Sequence, residues 1–353
     1  MGLFRKIFKI KPKKFLGIDM GTSSLRVVEL GRRGKKIWLE NYGEAPLEIP
    51  DSFSEAGEKF LAPEKETADI LVKICKAAKI NTKDASIAVP DFFSFYVAFN
   101  LPTMARDEII QAVEYEVRPH IPLPLSEITL DWMITEGEPS KTPLKILVVA
   151  VPNNIIHYYR EIANLAGLRL KTIEPEVFGL TRALIGQEDE KEIIGLIDFG
   201  AKSTTCNIVE KGVLKMSHSF RIGGTEFTNT LVRSLNIGYN EAEKAKREEG
   251  IRKDGKTKEL LLPVVDSALE EIKKVFRDYF KKEGKKVEKI IIFGSSALLP
   301  GLAEYLKSQL GKEIENADPF KNISFPSSLG NLSQKRKMSL AIPIGVAIKE
   351  LRK

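Results

Sequence analysis

The sequence predicts an α/β fold made of two copies of one lobe, with a separate module inserted in the first. Three observations carry this expectation. An apolar strand runs into an Asp, a Gly, a hydroxyl cluster and a second apolar strand twice, at 15–29 (FLGIDMGTSSLRVVE) and at 194–210 (IGLIDFGAKSTTCNIVE). A supersecondary unit that recurs within one chain marks an architectural duplication. Between the copies, 91–165 carries its own strand–helix–strand–strand–helix pattern, and a third apolar strand at 290–293 runs into the small residues Gly294 and Ser295.

The elements follow in order from period and punctuation. After the first hairpin, 36–43 alternates like a third antiparallel strand, and the Pro/Glu/Ser-rich stretch 45–63 reads as an exposed loop. Apolar residues at Ile70, Leu71, Ile74, Cys75 and Ala78 have helical spacing over 67–78, and 86–90 is a buried strand closed by Pro90. Within the insert, 92–101 is an aromatic-rich strand and 107–117 an amphipathic helix. Prolines at 119, 122 and 124 then forbid helix, strands follow at 128–135 and 145–151, and a helix at 153–166. A strand returns at 168–174 before a helix over 177–184. The second hairpin is followed by a strand at 213–220, helices at 226–235, 240–249 and 260–282, the strand 289–293, a helix at 302–310, a strand at Ile314 and a closing helix at 342–351.

Each hairpin has phosphate-gripping chemistry. Gly lets backbone N–H groups approach an anion, hydroxyls donate further hydrogen bonds, and Asp can hold Mg²⁺ through water. Two such hairpins facing each other would clamp a nucleoside triphosphate from both sides. A strand ending in Gly-Ser-Ser before a helix lets backbone lie against an adenosine.

The bulk numbers exclude several classes. A 353-residue chain that is 43% hydrophobic and 29% charged is ordinary for a globular protein of about two to three domains. The net charge of +7 sits largely in residues 1–14, 281–289 and 335–337, without interleaved aromatics, which speaks against a nucleic-acid stripe. Cys75 and Cys206 match no metal or redox spacing and read as reduced core residues. No apolar run is long enough to span a bilayer, and the N-terminus lacks a signal-peptide core. Residues 1–14 set Leu3, Phe4, Ile7, Phe8 and Ile10 against Arg5, Lys6 and Lys9, a short basic amphipathic segment suited to peripheral contact with an anionic membrane or a partner.

The paired hairpins and the Gly-containing corner resemble the actin-like ATPase superfamily, which includes actin, hexokinase, MreB and FtsA. Within it the chain resembles the PilM family of type IV pilus assembly. That resemblance rests on 20–30 (MGTSSLRVVEL), on 113–122 (VEYEVRPHIP) followed by Leu130-Asp131-Trp132, and on Ile173-Glu174-Pro175-Glu176. Asn316-Ala317-Asp318-Pro319-Phe320 and 343–347 (PIGVA) add to it. It implies two duplicated ribonuclease-H-like lobes with an FtsA/PilM-type inserted subdomain. The expected division is a basic tail (1–14), a first lobe (15–90 with 166–190), the insert (91–165), a second lobe (191–225 with 285–353) and a small helical subdomain (226–284) over the cleft.

The resemblance also implies ATP and Mg²⁺ as ligands, with Asp19 and Asp198 at the metal. Gly21, Thr22, Ser23 and Ser24 would line the first loop, with Arg26 where the family often has Lys. Asp198, Gly200, Ser203 and Thr204 would form the second. Gly223 and Gly224 would approach the ribose and phosphates, Glu243 and Lys246 would reach the nucleotide from above, and Gly294, Ser295 and Leu299 would flank the adenosine. Glu174 is the expected residue for orienting an attacking water, in an enzyme that is at most a weak ATPase. The implied role is a cytoplasmic scaffold, peripheral to the inner membrane. It would bind the cytoplasmic N-terminal peptide of PilN, against walls such as Phe92, Phe93, Phe95, Tyr96, Ile121, Pro122 and Leu123, and meet other inner-membrane pilus assembly proteins. An FtsA-like division adaptor and an MreB-type filament are the alternatives.

Overall fold

Strand formation follows the apolar runs. The computed structural model describes residues 13–34, 36–47, 61–186, 191–326 and 332–352. The basic segment 1–12 and most of the loop expected over 45–63 lie outside them. The first lobe opens with β1 (Lys14–Met20), β2 (Ser24–Arg33), β3 (Lys36–Pro46), α1 (Glu64–Ala77) and β4 (Asp84–Val89). The insert is β5 (Phe95–Leu101), α2 (Ile109–Val117), β6 (Ile128–Glu136) and β7 (Leu144–Pro152). Next come α3 (Asn153–Leu165), β8 (Arg169–Pro175) and α4 (Glu176–Leu184). The second half comprises β9 (Ile193–Phe199), β10 (Thr204–Glu210), β11 (Val213–Phe220), α5 (Gly224–Leu235), α6 (Tyr239–Glu248), α7 (Lys258–Glu283), β12 (Lys289–Phe293), α8 (Leu302–Leu310), β13 (Glu313–Asn316), α9 (Gln334–Ser339) and α10 (Ala341–Arg352).

The duplication is explicit in the sheets. One has the order β3-β2-β1-β4-β8 and the other β11-β10-β9-β12-β13, with antiparallel hairpins on one side and parallel strands on the other in both. β1 and β9 are central and buried along nearly their whole length, which is why they read as continuous apolar runs. Even the turn chemistry repeats. Gly21 N donates to Ser24 O at 3.0 Å, and Gly200 N donates to Ser203 O at 3.0 Å.

Two boundaries differ from the sequence expectation. The insert is a three-stranded sheet, order β5-β7-β6, with its own core of Leu101, Ile109, Val113, Val117, Ile146 and Val148. It closes at β7. Helix α3, placed by sequence inside 91–165, buries Ile155, Tyr159 and Ile162 in the first lobe's core beside Leu16, Ile18 and Leu71. Helix α10, assigned by sequence to the second lobe, packs on β1, β2 and α4 of the first. The close approach is permitted by glycine: a Cβ on Gly345 would stand 1.8 Å from Gly179 O. The reason is common to both helices. Helical period reveals an apolar face but not which sheet covers it.

Smaller differences lie at the insert's ends. The strand expected over 92–101 starts at Phe95, after a 3₁₀ turn at Asp91–Phe93. The proline stretch holds 3₁₀ turns at Arg118–His120 and Leu125–Glu127 and no α-helix. Cys75 and Cys206 are free thiols, and burial pushes them up to about 11 and about 12.

Candidate functional site

The two Asp-Gly hairpins face one another across a cleft of about 530 Å³. From the first lobe Asp19, Gly21, Thr22, Ser23, Ser24 and Arg26 line it. From the second come Asp198, Gly200, Ser203, Gly294 and Ser295. Most of the residues expected in the two loops therefore meet in one place. The size is that of a typical small-molecule site.

Asp19 is 1% exposed. Its Oδ2 accepts a 2.9 Å bond from Arg26 Nη1, its cross-strand neighbour, whose Nε donates to Glu44 Oε1 at 2.9 Å. Among the described residues Asp19 Oδ1 is buried without a hydrogen-bond partner, an atom that a ligand or cation would satisfy. Burial raises the Asp19 carboxyl above the usual range against the pull of Arg26. Asp198 occupies the equivalent place on β9, with Thr205 as its cross-strand neighbour where Asp19 has Arg26. Burial, then Asp19 and Asp91, push Asp198 up to about 8.

A fourth carboxyl joins them. Glu176, the first residue of α4, lines the cleft and is 8% exposed. Burial, then the charges of Asp19, Asp91 and Asp198, raise it well above its ordinary value. A cluster of buried acids whose pKa values burial raises is one that a divalent cation with an anionic ligand would relieve. The backbone around it is cut close. Gly294 has φ +97°, and a Cβ there would stand 2.1 Å from Asp198 Oδ1. A Cβ on Gly223 would meet Ala201 O at 2.6 Å. The donor set and the glycine cradle thus fit a Mg²⁺-bound phosphate group.

Several expected residues stand elsewhere. Glu174 does not line the cleft: it points to the α4–α10 side of the sheet, where Arg182 and Lys349 donate to its carboxylate. The strand alternates faces, and Glu174 falls on the wrong one for the cleft. The residue that reaches it is Glu176, two positions on, at the helix start. Thr204 is buried with its hydroxyl on Ile222 O, and its neighbour Thr205 lines the cleft. Leu299 is 7% exposed and belongs to the core.

Glu243 and Lys246 form a wall behind the second loop. Lys246 Nζ donates to Gly224 O at 3.0 Å, to Thr228 Oγ1 at 2.9 Å and to Glu243 Oε2. Burial lowers the Lys246 ammonium, which its bonds to Glu243 oppose. Gly224 N in turn donates to Gly200 O at 3.0 Å, so this cluster braces the loop without lining the cleft. Besides Arg26, the cations Arg247, Lys335 and Arg336 line it. In the sequence Lys335 and Arg336 stand out only as part of the basic stretch 335–337. The signal that could have found them is Ser333, which caps α9 by accepting from Arg336 N and itself lines the cleft.

An apolar notch adjoins the cleft. Leu47, Leu61, Ala62, Phe92, Phe93 and Tyr158 line it, and it shares Gly21, Thr22 and Phe92 with the cleft. Of the expected peptide walls, Phe92 and Phe93 open here. Tyr96 instead donates its hydroxyl to Asp91 at 2.6 Å, and Ile121 lies in the core of the insert.

A family model described as type IV pilus assembly protein PilM matches residues 17–351. Among curated proteins, the cell division protein FtsA of Enterococcus faecalis is 25% identical over 262 residues, which is 67% of this chain and 58% of FtsA. The ethanolamine utilization protein EutJ of Escherichia coli is 29% identical over 115 residues, 33% of this chain and 38% of EutJ. The chain thus spans less than two thirds of the curated relatives it matches. Among solved structures, a PilM–PilN type IV pilus biogenesis complex has a TM-score of 0.79 at 22% identity, covering 95% of this chain and 97% of that one. MreB5 of Spiroplasma citri bound to AMPPNP has a TM-score of 0.55 at 14% identity, covering 96% of each chain.

Proposed function

Because the chain belongs to the PilM family of type IV pilus assembly proteins, we propose that it is an ATP-binding scaffold that captures the cytoplasmic N-terminal peptide of PilN. Its fold is the actin-like ATPase fold. The observation that carries the nucleotide reading is the convergence of Asp19, Asp198 and Glu176 between two glycine-cradled hairpins. MreB5 in complex with AMPPNP or ADP has the same fold, which supports it.

In this reading the backbone of both hairpins and the hydroxyls of Thr22, Ser23, Ser24 and Ser203 hold the phosphates. Asp19 and Asp198 would hold Mg²⁺. Gly294 and Ser295 lie against the adenosine. Arg247, Lys335 and Arg336 add positive charge at the mouth. When bound, ATP with Mg²⁺ would supply the polyanion and the cation that these residues hold. Gly223, Gly224, Glu243 and Lys246 hold the second loop in place from behind.

Glu176 takes the role of orienting a water in any hydrolysis, in place of Glu174. Hydrolysis is at most weak. The nucleotide acts chiefly as a clamp, because a ligand bound to the closed arrangement stabilises it by mass action.

The proposed seat of the PilN peptide is the cleft between the first lobe and the insert, and the apolar notch at Phe92 and Phe93, at about 10 Å³ too small to hold a side chain, marks only its edge. The notch shares Gly21 and Thr22 with the phosphate cleft, so loop ordering by nucleotide and peptide capture bear on the same backbone. A solved PilM–PilN complex with a TM-score of 0.79 supports this choice of partner. Among the described residues no helix is long and apolar enough to cross a membrane. The proposed localisation is cytoplasmic, at the inner membrane, reached through PilN and neighbouring assembly proteins.

The experiment is calorimetric titration of the full chain with a synthetic PilN N-terminal peptide, with and without Mg-ATP. Saturable binding, weakened at least about tenfold by Phe92→Ser, is expected from loss of one buried aromatic anchor. A chain that ignored the peptide but assembled into filaments with ATP would overturn the proposal in favour of a cytoskeletal role.

A further inference from the structure

The insert rests on both lobes at once. Successive residues of β7 point to opposite faces of its sheet. Ile146, Val148 and Ala150 fill the insert's own core, and the alternate residues divide between the lobes. Leu147 is buried in the cluster that holds Leu214 of β11, while Val149 and Val151 are buried in the cluster that holds Leu16 and Ile18 of β1. Tyr96 of β5 packs against both clusters. A strand that straddles the joint in this way must shift on one lobe when the two rotate against each other.

Charges fasten it on the second lobe's side. Lys145 Nζ, at the start of β7, donates to both carboxylate oxygens of Glu283 at the end of α7, at 2.8 and 2.6 Å, and the two side chains are only 17% and 13% exposed. Beside this pair Lys215 of β11 donates to Glu136 of β6 at 2.8 Å, and Lys282 of α7 donates to Ala98 O of β5 at 3.3 Å. All three strands of the insert are thus tied to β11 or α7. Apolar packing between the ties is incomplete. A gap of about 130 Å³ lies between Ala98 and Leu147 of the insert and Leu214 and Met216 of β11.

The first lobe's side is built differently. Hydrogen bonds there sit beside the two chain connections. Tyr96 donates to Asp91 just before β5, and Thr129 Oγ1 of β6 donates to Asn153 Oδ1 just after β7, at 2.8 Å. Bonds at the connections suit a pivot. Apolar contact is non-directional and tolerates sliding, whereas a charge-assisted bond fixes distance and direction. We propose that the Lys145–Glu283 pair, with Glu136–Lys215 beside it, ties the insert to the second lobe, so that closing the nucleotide cleft moves the insert over the first lobe and reshapes the peptide seat between them. This rests on the two sites proposed above and adds how one controls the other. The control is reciprocal: whatever factor nucleotide applies to peptide affinity, the peptide applies to nucleotide affinity.

The test has two arms on the full chain. Without ligands, spin labels at Tyr115→Cys on α2 and Asp278→Cys on α7, both exposed, report the separation of the insert from the second lobe in a Cys75→Ser background. One narrow distance is expected, and Lys145→Gln with Glu283→Gln should broaden or lengthen it. An unaltered distribution in that double variant would overturn the proposal. In the second arm, calorimetry measures affinity for the synthetic PilN peptide with and without Mg-ATP. The unmodified chain should show a difference of at least about fivefold. Lys145→Gln and Glu283→Gln should each remove most of it, and together no more than either alone, since they break one pair. Glu138→Gln with Lys141→Gln removes an exposed ion pair within the insert and should leave the difference intact. A difference that survives in the Lys145 and Glu283 variants, or falls as far in the control, would contradict the coupling. A chain that binds both ligands with no difference would sink the coupling alone, and one that binds neither would sink the proposed function with it.

Discussion

Asn207 of the second lobe donates its side-chain amide to Asp91 Oδ2 of the first at 3.0 Å, and both residues are buried. Asp91 Oδ1 accepts from the Tyr96 hydroxyl at 2.6 Å and from Val177 N at 3.1 Å, while its own N–H donates to Glu176 at 3.4 Å. One carboxylate therefore ties together both lobes, the insert and the helix that brings Glu176 to the cleft. Asn207→Ala strips one donor from a buried acid. Urea unfolding should show a loss of about 1–3 kcal/mol, the range for an orphaned buried polar group. The same change in an Asp91→Ala background should cost less, and equal losses in both backgrounds would show that the two residues do not act as a pair.

Glu174 and Glu176 differ in what they touch, and their variants should separate. Glu174→Gln weakens the carboxylate that serves Arg182 and Lys349, so it should lower the melting temperature while leaving ATP affinity unaltered. Glu176→Gln removes an acid whose carboxyl burial and its carboxylate neighbours raise well above its ordinary value. It should leave stability unchanged or improved and reduce any measurable ATP turnover about tenfold or more, the scale of a positioned general base. The reverse pattern in a phosphate-release assay would return the water-orienting role to Glu174.

Gly294 tests the cradle. Its φ of +97° and the 2.1 Å approach of a Cβ to Asp198 Oδ1 leave no room for a side chain. Gly294→Ala should reduce ATP affinity at least about tenfold and destabilise the chain by about 1 kcal/mol or more. Gly212, also at positive φ but with open space around it, is the control, and Gly212→Ala should leave ATP affinity untouched.

The division between what the sequence revealed and what it hid follows from this geometry. The paired hairpins were legible because a central strand buried on both faces must be an apolar run, and its Asp-Gly end has no structural excuse in a β-strand. Arg26 was legible only through the family resemblance; its pairing with Asp19 follows from the antiparallel register, which fixes cross-strand partners. Glu176 was hidden behind Glu174, because both stand beside Pro175 and only the strand's pleat and the helix start decide which acid faces the cleft. Arg247, Lys335 and Arg336 were hidden for a different reason. Cations on short polar helices look solvated until tertiary packing turns those helices inward. The same limit misplaced α3 and α10, whose covering sheets are set by contacts far apart in the chain.

Asp198 makes the protein's pH response predictable. Its carboxyl is held up to about 8 in the native fold but titrates near 4 when unfolded. The stabilisation from its neutral form is complete below the unfolded value and is lost as pH rises through about 8. Without Mg²⁺ or nucleotide, stability should decline between these limits. Asp198→Asn, which stays neutral, should lack this part of the decline and exceed the wild type at pH 8 by at least about 1 kcal/mol, the worth of one pKa unit. Thermal melts in a pH series check it, and a parallel decline in the variant would assign the effect elsewhere.

The most direct measurement of the central claim is calorimetric titration of ATP into the full chain, with and without Mg²⁺, for the wild type, Asp19→Asn and Asp198→Asn. Both hairpins face one cleft and both acids are buried in it. The account predicts one ATP per chain, binding that depends on Mg²⁺, and a loss of at least about tenfold in either variant, since ligated cations need the ionised carboxylate. Binding that is absent, or that persists unaltered when both acids are neutralised, would contradict it.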